Sequence, residues 1–191
     1  MGYKEIYQMW MDYPQLNEDL HAEIKAMSDE SEIEDRFYQD LEFGTGGMRG
    51  KIGAGINRMN IYTIAKATRG LGQYLLNEDA ANAGKGVVIA YDSRNKSVDF
   101  ARMAARVLAG MGVQAYLFES LRPTPVLSFS VRHFGAAGGI VITASHNPKE
   151  YNGYKVYGPD GGQMVTAAAD ALIAEISPFR FLIWKRPLRM E

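Results

Sequence analysis

The sequence of 191 residues contains no cysteine. Disulfide bridges and thiolate metal sites are therefore excluded, and a reducing compartment suits the chain. No run approaches the roughly 20 apolar residues that a membrane helix needs. The first ten residues, M-G-Y-K-E-I-Y-Q-M-W, also lack the apolar stretch of a signal peptide. These absences together predict a cytoplasmic protein.

The sequence also lacks an excess of charge of either sign. It has 21 basic and 22 acidic side chains, for a formal net charge of −1. A nucleic-acid binder carries a basic footprint, so nucleic acid is not expected as a partner. A membrane is not expected either, because the sequence has no long apolar run. A local cationic pocket for a small anionic substrate remains compatible with this balance. The hydrophobic share of 47% predicts a globular chain of one domain, or of one domain with an extension.

Residues 1–42 have helical rather than β-like spacing. Apolar side chains at Ile6, Trp10 and Tyr13 suit a short helix that ends near Pro14, and two further helices are expected before residue 42. This segment is interpreted as a helical N-terminal extension. The glycine-dense run F-G-T-G-G-M-R-G-K-I-G-A-G at 43–55 is unfavourable to a helix and favours a loop that approaches a ligand closely.

From residue 61 onward, helical and buried-strand patterns alternate. This alternation predicts a three-layer α/β/α domain at 43–176, with a mixed, mostly parallel sheet of about four strands. The turn near Asp160 suggests that part of the sheet is antiparallel. Residues 177–191 change character, with four basic side chains and the apolar run F-L-I-W. They are read as an altered or truncated end rather than a membrane-surface anchor. The expected strands are 86–91, 113–118, 138–143 and 153–157. The expected helices are 61–76, 98–111, 125–134 with Thr124 as its N-cap, and 166–176.

A serine within T-A-S-H-N-P, at 143–148, follows the third expected strand. Ser145 can be a nucleophile, a phosphoryl carrier or a helix cap, and on the residues alone capping is favoured. His146 is not expected to act as a triad partner, because neighbours on an extended loop point in different directions. A second polar cluster, D-S-R at 92–94, follows the first expected strand. Both clusters should lie at the ligand-binding edge of the sheet.

Five short motifs occur in the order found in the α-D-phosphohexomutases, which the chain resembles from about Phe43 to Ile176. They are F-G-T-G-G-M-R-G at 43–50, Y-D-S-R at 91–94, R-P-T-P at 122–125, T-A-S-H-N-P at 143–148 and Y-N-G-Y-K at 151–155. The N-terminal extension and the form of the first motif are most similar to the phosphoglucomutase and phosphopentomutase-like branch. Phosphomannomutase is the nearest alternative in the family.

The resemblance implies a mutase that interconverts sugar 1-phosphates and 6-phosphates. Ser145 would carry the phosphoryl group, a bisphosphorylated sugar would be the intermediate, and glucose 1,6-bisphosphate would be the phosphorylating activator. Mg²⁺ would be bound through the phosphate on Ser145. His146 and Lys155 would lie beside that phosphate and the sugar hydroxyl, and a nearby cation could favour general-base use of the lysine.

The resemblance also implies phosphate-binding residues, with Thr45 and Arg49 in the glycine-rich motif. The planar guanidinium of Arg49 suits bidentate contact with a phosphate. Arg94 has two alternatives that weigh equally: a direct role at the phosphate, or an ion pair with Asp92 that shapes the loop. Asn147 and Asn152 are expected to brace the loop rather than to touch substrate.

The family's aspartate-rich metal loop, D-G-D-x-D-R, does not occur in this sequence. The chain is therefore expected to contain the nucleophile and only part of the metal site, with little or no mutase turnover by itself. The alternative is a truncated, non-catalytic module that binds anions or a partner.

Overall fold

The structure is a computed structural model that describes residues 1–44 and 46–177. Thr45 and the segment 178–191 lie outside the described residues. Helices and strands alternate after an initial run of three helices. The helices of the described chain are α1 (Tyr3–Met11), α2 (Glu18–Ala26), α3 (Glu30–Phe37), α4 (Ile61–Glu78), α5 (Asn82–Lys85), α6 (Ser97–Gly110), α7 (Thr124–Phe134) and α8 (Thr166–Ile176). The strands are β1 (Phe43–Gly44), β2 (Gly47–Lys51), β3 (Val87–Tyr91), β4 (Ala115–Leu117), β5 (Gly138–Ile142) and β6 (Tyr151–Tyr157).

The six strands of the described chain form one mixed sheet in the order β1-β2-β6-β5-β3-β4. β3 pairs in parallel with β4 and with β5. β6 lies antiparallel between β5 and β2, and β1 is antiparallel to β2. Four strands, β2, β5, β3 and β4, therefore run in the same direction, and their carboxyl ends meet at one edge. The antiparallel part comes chiefly from β6, while the turn near Asp160 contributes only an isolated bridge between Tyr157 and Gln163.

Helices cover both faces of the sheet, which confirms the predicted α/β architecture. α4, α6 and α8 contribute to the larger core, with Leu71, Leu108 and Leu172 at or near zero exposure. α7 packs on the opposite face against β3 and β5, where Leu127 and Val131 are fully buried. Every residue of β3 and β5 is buried because helices lie on both sides of them. Each fully buried leucine contributes about 1.5–3 kcal/mol relative to an exposed one.

The prediction of a loop at 43–55 is wrong for its first part, which forms β1 and β2, and the sheet has six strands rather than four. Glycine is needed here because the strands approach closely. A Cβ on Gly47 would lie 2.1 Å from the carbonyl oxygen of Tyr154, and one on Gly153 would lie 2.6 Å from that of Thr143. Glycine within a strand marks such close backbone approach.

The three N-terminal helices pack against the segment 53–60, which follows β2. Trp10, Ile24 and Phe37 form a separate apolar cluster with Ala54. Arg36 bonds to Glu23 at 2.5 Å and to the carbonyl of Ala54 at 3.1 Å. The helices thus support the segment that leads from β2 to α4. No helix in the described ranges combines the length and apolarity needed to cross a membrane.

Candidate active site

Ser145 lies three residues beyond the end of β5, at the carboxyl edge of the sheet. It is exposed, and its φ of 56° places a non-glycine residue in the left-handed region. Such a conformation costs of order 1–3 kcal/mol and persists only where neighbours hold it. The backbone N–H of Ser145 donates to Thr143 Oγ1 at 3.0 Å. No helix of the described chain begins at this loop, so the helix-cap interpretation has no support.

The side chains of Ser145 and His146 lie together rather than apart. Ser145 Oγ is 3.2 Å from His146 Nδ1. The prediction that these neighbours point in different directions is wrong, because it assumed an extended loop. The left-handed conformation of Ser145 curls the chain and brings the ring to the hydroxyl, within the distance at which a proton can be transferred.

Arg94 clamps the backbone of the Ser145 loop. Its guanidinium donates four hydrogen bonds to carbonyl oxygens, those of Ser145 (2.7 Å), Asn147 (2.6 Å), Pro148 (2.9 Å) and Tyr151 (3.1 Å). Its Nε also lies 3.6 Å from Asp92 Oδ2. Both terminal nitrogens are committed to the loop, which supports the loop-shaping alternative over direct contact with a phosphate.

A buried polar network connects this clamp to β6. Asp92 Oδ1 accepts from the backbone N–H of Arg94 at 2.9 Å and from Ser97 Oγ at 2.7 Å. The amide nitrogen of Asn152, a fully buried residue, donates to Ser97 Oγ and to the carbonyl of Asn95, both at 2.9 Å. Asn152 therefore has the bracing role expected of it, and it joins β6 to the loop that follows β3.

Arg49 and Lys155 lie on one face of the sheet next to the Ser145 loop. Arg49 of β2 pairs with Gly153 of β6, and Lys155 of β6 pairs with Gly47 of β2. The two cations are therefore diagonal neighbours, about 7–8 Å apart at their backbones. Each of them is paired with a glycine across β2 and β6, so neither has a side chain directly opposite it on the partner strand. Arg49 is exposed and Lys155 is partly buried.

This face continues toward Ser145. The backbone N–H of Thr143 donates to the carbonyl of Gly153 at 3.0 Å, which extends the row from Arg49 through Gly153 to Thr143. Within the described residues, no ion pair involves Arg49 or Lys155. No carboxylate of the described residues therefore neutralises their positive charge. The predicted phosphate-binding residue Thr45 lies outside the described residues.

The donors around Ser145 do not fit a metal site by themselves. No group of three or more His, Asp or Glu side chains in residues 1–44 and 46–177 could hold a metal ion. Asp92 lies on the neighbouring loop that follows β3, and its oxygens are engaged by Arg94 and Ser97. Mg²⁺ prefers several oxygen ligands in octahedral geometry, so the remaining ligands would have to come from elsewhere.

The R-P-T-P motif begins at the same edge, beyond the end of β4. The backbone N–H of Arg122 donates to the carbonyl of Tyr91 at 3.0 Å. Its guanidinium bonds to Ser120 Oγ at 2.6 Å and to the carbonyl of Leu121 at 2.8 Å. The motif thus shapes the loop between β4 and α7. α7 begins at Thr124 with Pro123 as the N-cap residue, one position earlier than predicted.

Comparison with known proteins gives the same fold. Residues 40–180 match the family model described as phosphoglucomutase/phosphomannomutase, alpha/beta/alpha domain I. The phosphoglucomutase of Staphylococcus aureus strain bovine RF122 / ET3-1 is 43% identical over 163 residues, which are 85% of this chain and 29% of that protein. The phosphoglucomutase of strain USA300 is 42% identical with the same coverage.

Two solved structures are also similar. A protein from Thermus Thermophilus assigned to the phosphomannomutases has a TM-score of 0.65 and 37% identity, over 72% of this chain and 30% of that one. A phosphoglucomutase/phosphomannomutase family protein from Burkholderia thailandensis has a TM-score of 0.59 and 26% identity, over 71% and 30% respectively. The chain spans less than a third of the length of these relatives. With the family model covering most of its residues, the chain belongs to the phosphoglucomutase/phosphomannomutase family and corresponds to its α/β/α domain I.

Proposed function

We propose that this chain is the phosphoserine-bearing domain of a sugar-phosphate mutase and that Ser145 receives the phosphoryl group. The observation that carries the proposal is the conformation of Ser145. Its hydroxyl is exposed on a loop in the left-handed conformation, and Arg94 and Thr143 hold that loop. Enzymes keep such costly geometry where a reacting group must be positioned in advance.

The proposed step is transfer from a bisphosphorylated sugar to the serine. Ser145 Oγ forms a bond to phosphorus as the bond from phosphorus to the sugar oxygen breaks. His146, whose Nδ1 lies 3.2 Å from Oγ, accepts the hydroxyl proton, and the departing sugar oxygen takes up a proton from water. Arg49 and Lys155 offset the negative charge of the phosphoryl group. Phosphoryl transfer depends mainly on such positioning and charge stabilisation.

The proposed substrates are phosphorylated sugars, with glucose 1-phosphate and 6-phosphate first, because relatives that are 42–43% identical to the chain are phosphoglucomutases. Mannose phosphates are the second choice, supported by the structural similarity to a protein assigned to the phosphomannomutases. Glucose 1,6-bisphosphate is proposed as the phosphorylating activator and the cytoplasm as the location. Mg²⁺ bound through the phosphate on Ser145 belongs to the same proposal, with its other ligands supplied from outside the described residues.

The chain is expected to perform the transfer to serine without mutase turnover. It spans 29% of the matched phosphoglucomutases, and the sequence has no aspartate-rich metal loop. A coupled assay for conversion of glucose 1-phosphate should therefore give no significant rate with this chain. A normal rate would show that these residues suffice for catalysis.

Phosphorylation of the purified chain tests the proposal. The chain is incubated with glucose 1,6-bisphosphate, and mass spectrometry of the intact protein and its peptides locates any added phosphate. Ser145→Ala removes the proposed acceptor, while Ser93→Ala removes another exposed serine on the neighbouring loop. The wild type and Ser93→Ala should each gain one phosphate at Ser145, and Ser145→Ala should gain none. Unmodified wild-type chain would instead support a non-catalytic, anion-binding module.

A further inference from the structure

Lys51 occupies the last position of β2, at the same edge of the sheet as the Ser145 loop. It lies on the same face as Arg49, because side chains two residues apart on a strand point to the same side. Both side chains are exposed, whereas Gly50 between them and Met48 before them are buried. Lys51 therefore belongs to the face that carries Arg49 and Lys155.

The sheet register places Lys51 opposite the start of β6, which follows the Ser145 loop. Lys51 pairs with Tyr151, the first residue of β6, and the backbone N–H of Ile52 donates to the carbonyl of Glu150 at 2.8 Å. The end of β2 is thus hydrogen-bonded to the segment that leads out of the Ser145 loop. In the neighbouring row, Arg49 stands two strands away from Thr143. Lys51 is two residues beyond Arg49 along β2, and Ser145 is two residues beyond Thr143 in the loop that follows β5.

Strand spacing gives the distance to be bridged. Two steps of about 4.8 Å, or roughly 10 Å, separate the backbone of Arg49 from that of Thr143, and the chain beyond these two residues leads to Lys51 and to Ser145. The four-carbon stem of a lysine extends its ammonium by roughly 6 Å, and it is flexible. A phosphoryl group on Ser145, or one on a sugar docked against it, extends from the opposite side. The two groups can therefore meet above β6.

The charge on this face lacks a partner among the described residues. Lys66, Lys85 and Lys96 have carboxylate oxygens at 2.6, 3.2 and 3.7 Å respectively. Within residues 1–44 and 46–177, no carboxylate lies within 4 Å of Lys51, and the same is true of Arg49 and Lys155. Like charges on one sheet face repel each other, and a bound dianion relieves that repulsion.

We propose that Lys51 is a phosphate-binding residue of this site, which contacts a phosphate group of a sugar bisphosphate as the sugar docks against Ser145. The inference rests on the proposed function and extends it by one cation. Lys51 acts in binding, through its charge and its ammonium donors, and takes no part in proton transfer. The lysine was not among the candidates taken from the sequence, because its position follows from the pairing of β2 with β6.

Binding of glucose 1,6-bisphosphate, measured by isothermal titration calorimetry, tests the role of Lys51. Lys51→Gln removes the charge, and Lys51→Arg keeps it. Lys25→Gln is the matched control, because it removes one charge from an exposed lysine on α2, in the N-terminal extension. Lys51→Gln should raise the Kd about fivefold, the range of a partly solvated charge contact. Lys51→Arg and Lys25→Gln should remain within twofold of the wild type.

The outcomes separate this inference from the proposed function. A Kd that is unchanged in Lys51→Gln, or no binding to the wild type, overturns the role of Lys51. An equal rise in Lys25→Gln also overturns it, since the effect would then reflect net charge. Weakened binding in Lys51→Gln alone supports the role, even if the wild type fails to gain phosphate on Ser145, a result that would refute only the transfer step. Circular dichroism of each variant checks that the fold is retained.

Discussion

Replacement of Arg94 by glutamine should release the Ser145 loop while leaving the rest of the sheet folded. The wild-type guanidinium donates to four carbonyl oxygens of that loop, at 2.6 to 3.1 Å. The glutamine amide is shorter and can reach at most one or two of them. The loop would then lose the contacts that hold Ser145 in its left-handed conformation.

The size of the effect follows from these four bonds. A net contribution of about 1 kcal/mol each is appropriate, because water can replace the donor at the exposed carbonyls. The loop should therefore lose roughly 2–4 kcal/mol of local stability. A nucleophile that is misplaced by about 1 Å can lose on the order of 100-fold in rate, so phosphorylation of Ser145 should slow at least tenfold.

Hydrogen exchange and the rate of phosphorylation are the appropriate assays. The N–H groups of Ser145 and Tyr151 are bonded within the loop, to Thr143 Oγ1 and to the carbonyl of Pro148. Both should lose protection in Arg94→Gln. The control Arg132→Gln removes an exposed arginine of α7 and should change neither readout. If Arg94→Gln retained loop protection and phosphorylated within twofold of the wild-type rate, the clamp would not be what positions Ser145.

Two further substitutions, one of them with Gly84→Ala as its control, test the packing and the hydrogen bonds beneath the site. Gly153→Ala should destabilise the fold by about 1–3 kcal/mol in urea denaturation, because its Cβ would lie 2.6 Å from the carbonyl oxygen of Thr143. The control Gly84→Ala lies in α5, where no atom is within 4 Å of the added Cβ, and it should leave the free energy of unfolding unchanged or slightly raised. Equal effects at the two glycines would contradict the close approach of β5 and β6. Asn152→Ala should lower the free energy of unfolding by about 2–4 kcal/mol, because buried partners such as Ser97 Oγ lose the hydrogen bond from the Asn152 amide. A loss below about 0.5 kcal/mol would show that the network contributes little to stability.

The parts of the fold that the sequence predicts well are those where burial and composition agree. β3 and β5 are short apolar runs, V-V-I-A-Y and G-G-I-V-I, buried on both faces as such runs indicate. β2 could not be predicted from its composition, because glycine disfavours strands when only local propensity is considered. Its strand character comes from contact with β6, where Gly47 has room for no side chain.

The candidate site also divides into features that the sequence predicts and features that depend on contacts between distant residues. Sequence order places Ser145 and Asp92 at one edge of the sheet, because each follows a buried strand. The conformation of Ser145 could not be anticipated from local pattern, since it depends on hydrogen bonds from Arg94, which is 51 residues away in sequence. The proximity of His146 follows from that conformation. The position of Lys51 depends on the pairing of β2 with β6, which no local pattern indicates.

The most direct test of Ser145 as phosphoryl acceptor is a ³¹P NMR spectrum of the wild-type chain after incubation with glucose 1,6-bisphosphate. The expected result is one phosphoserine resonance per chain, together with one equivalent of glucose monophosphate and no comparable release of inorganic phosphate. Consumption of the bisphosphate with inorganic phosphate as the product, or an unchanged spectrum after prolonged incubation, would contradict it.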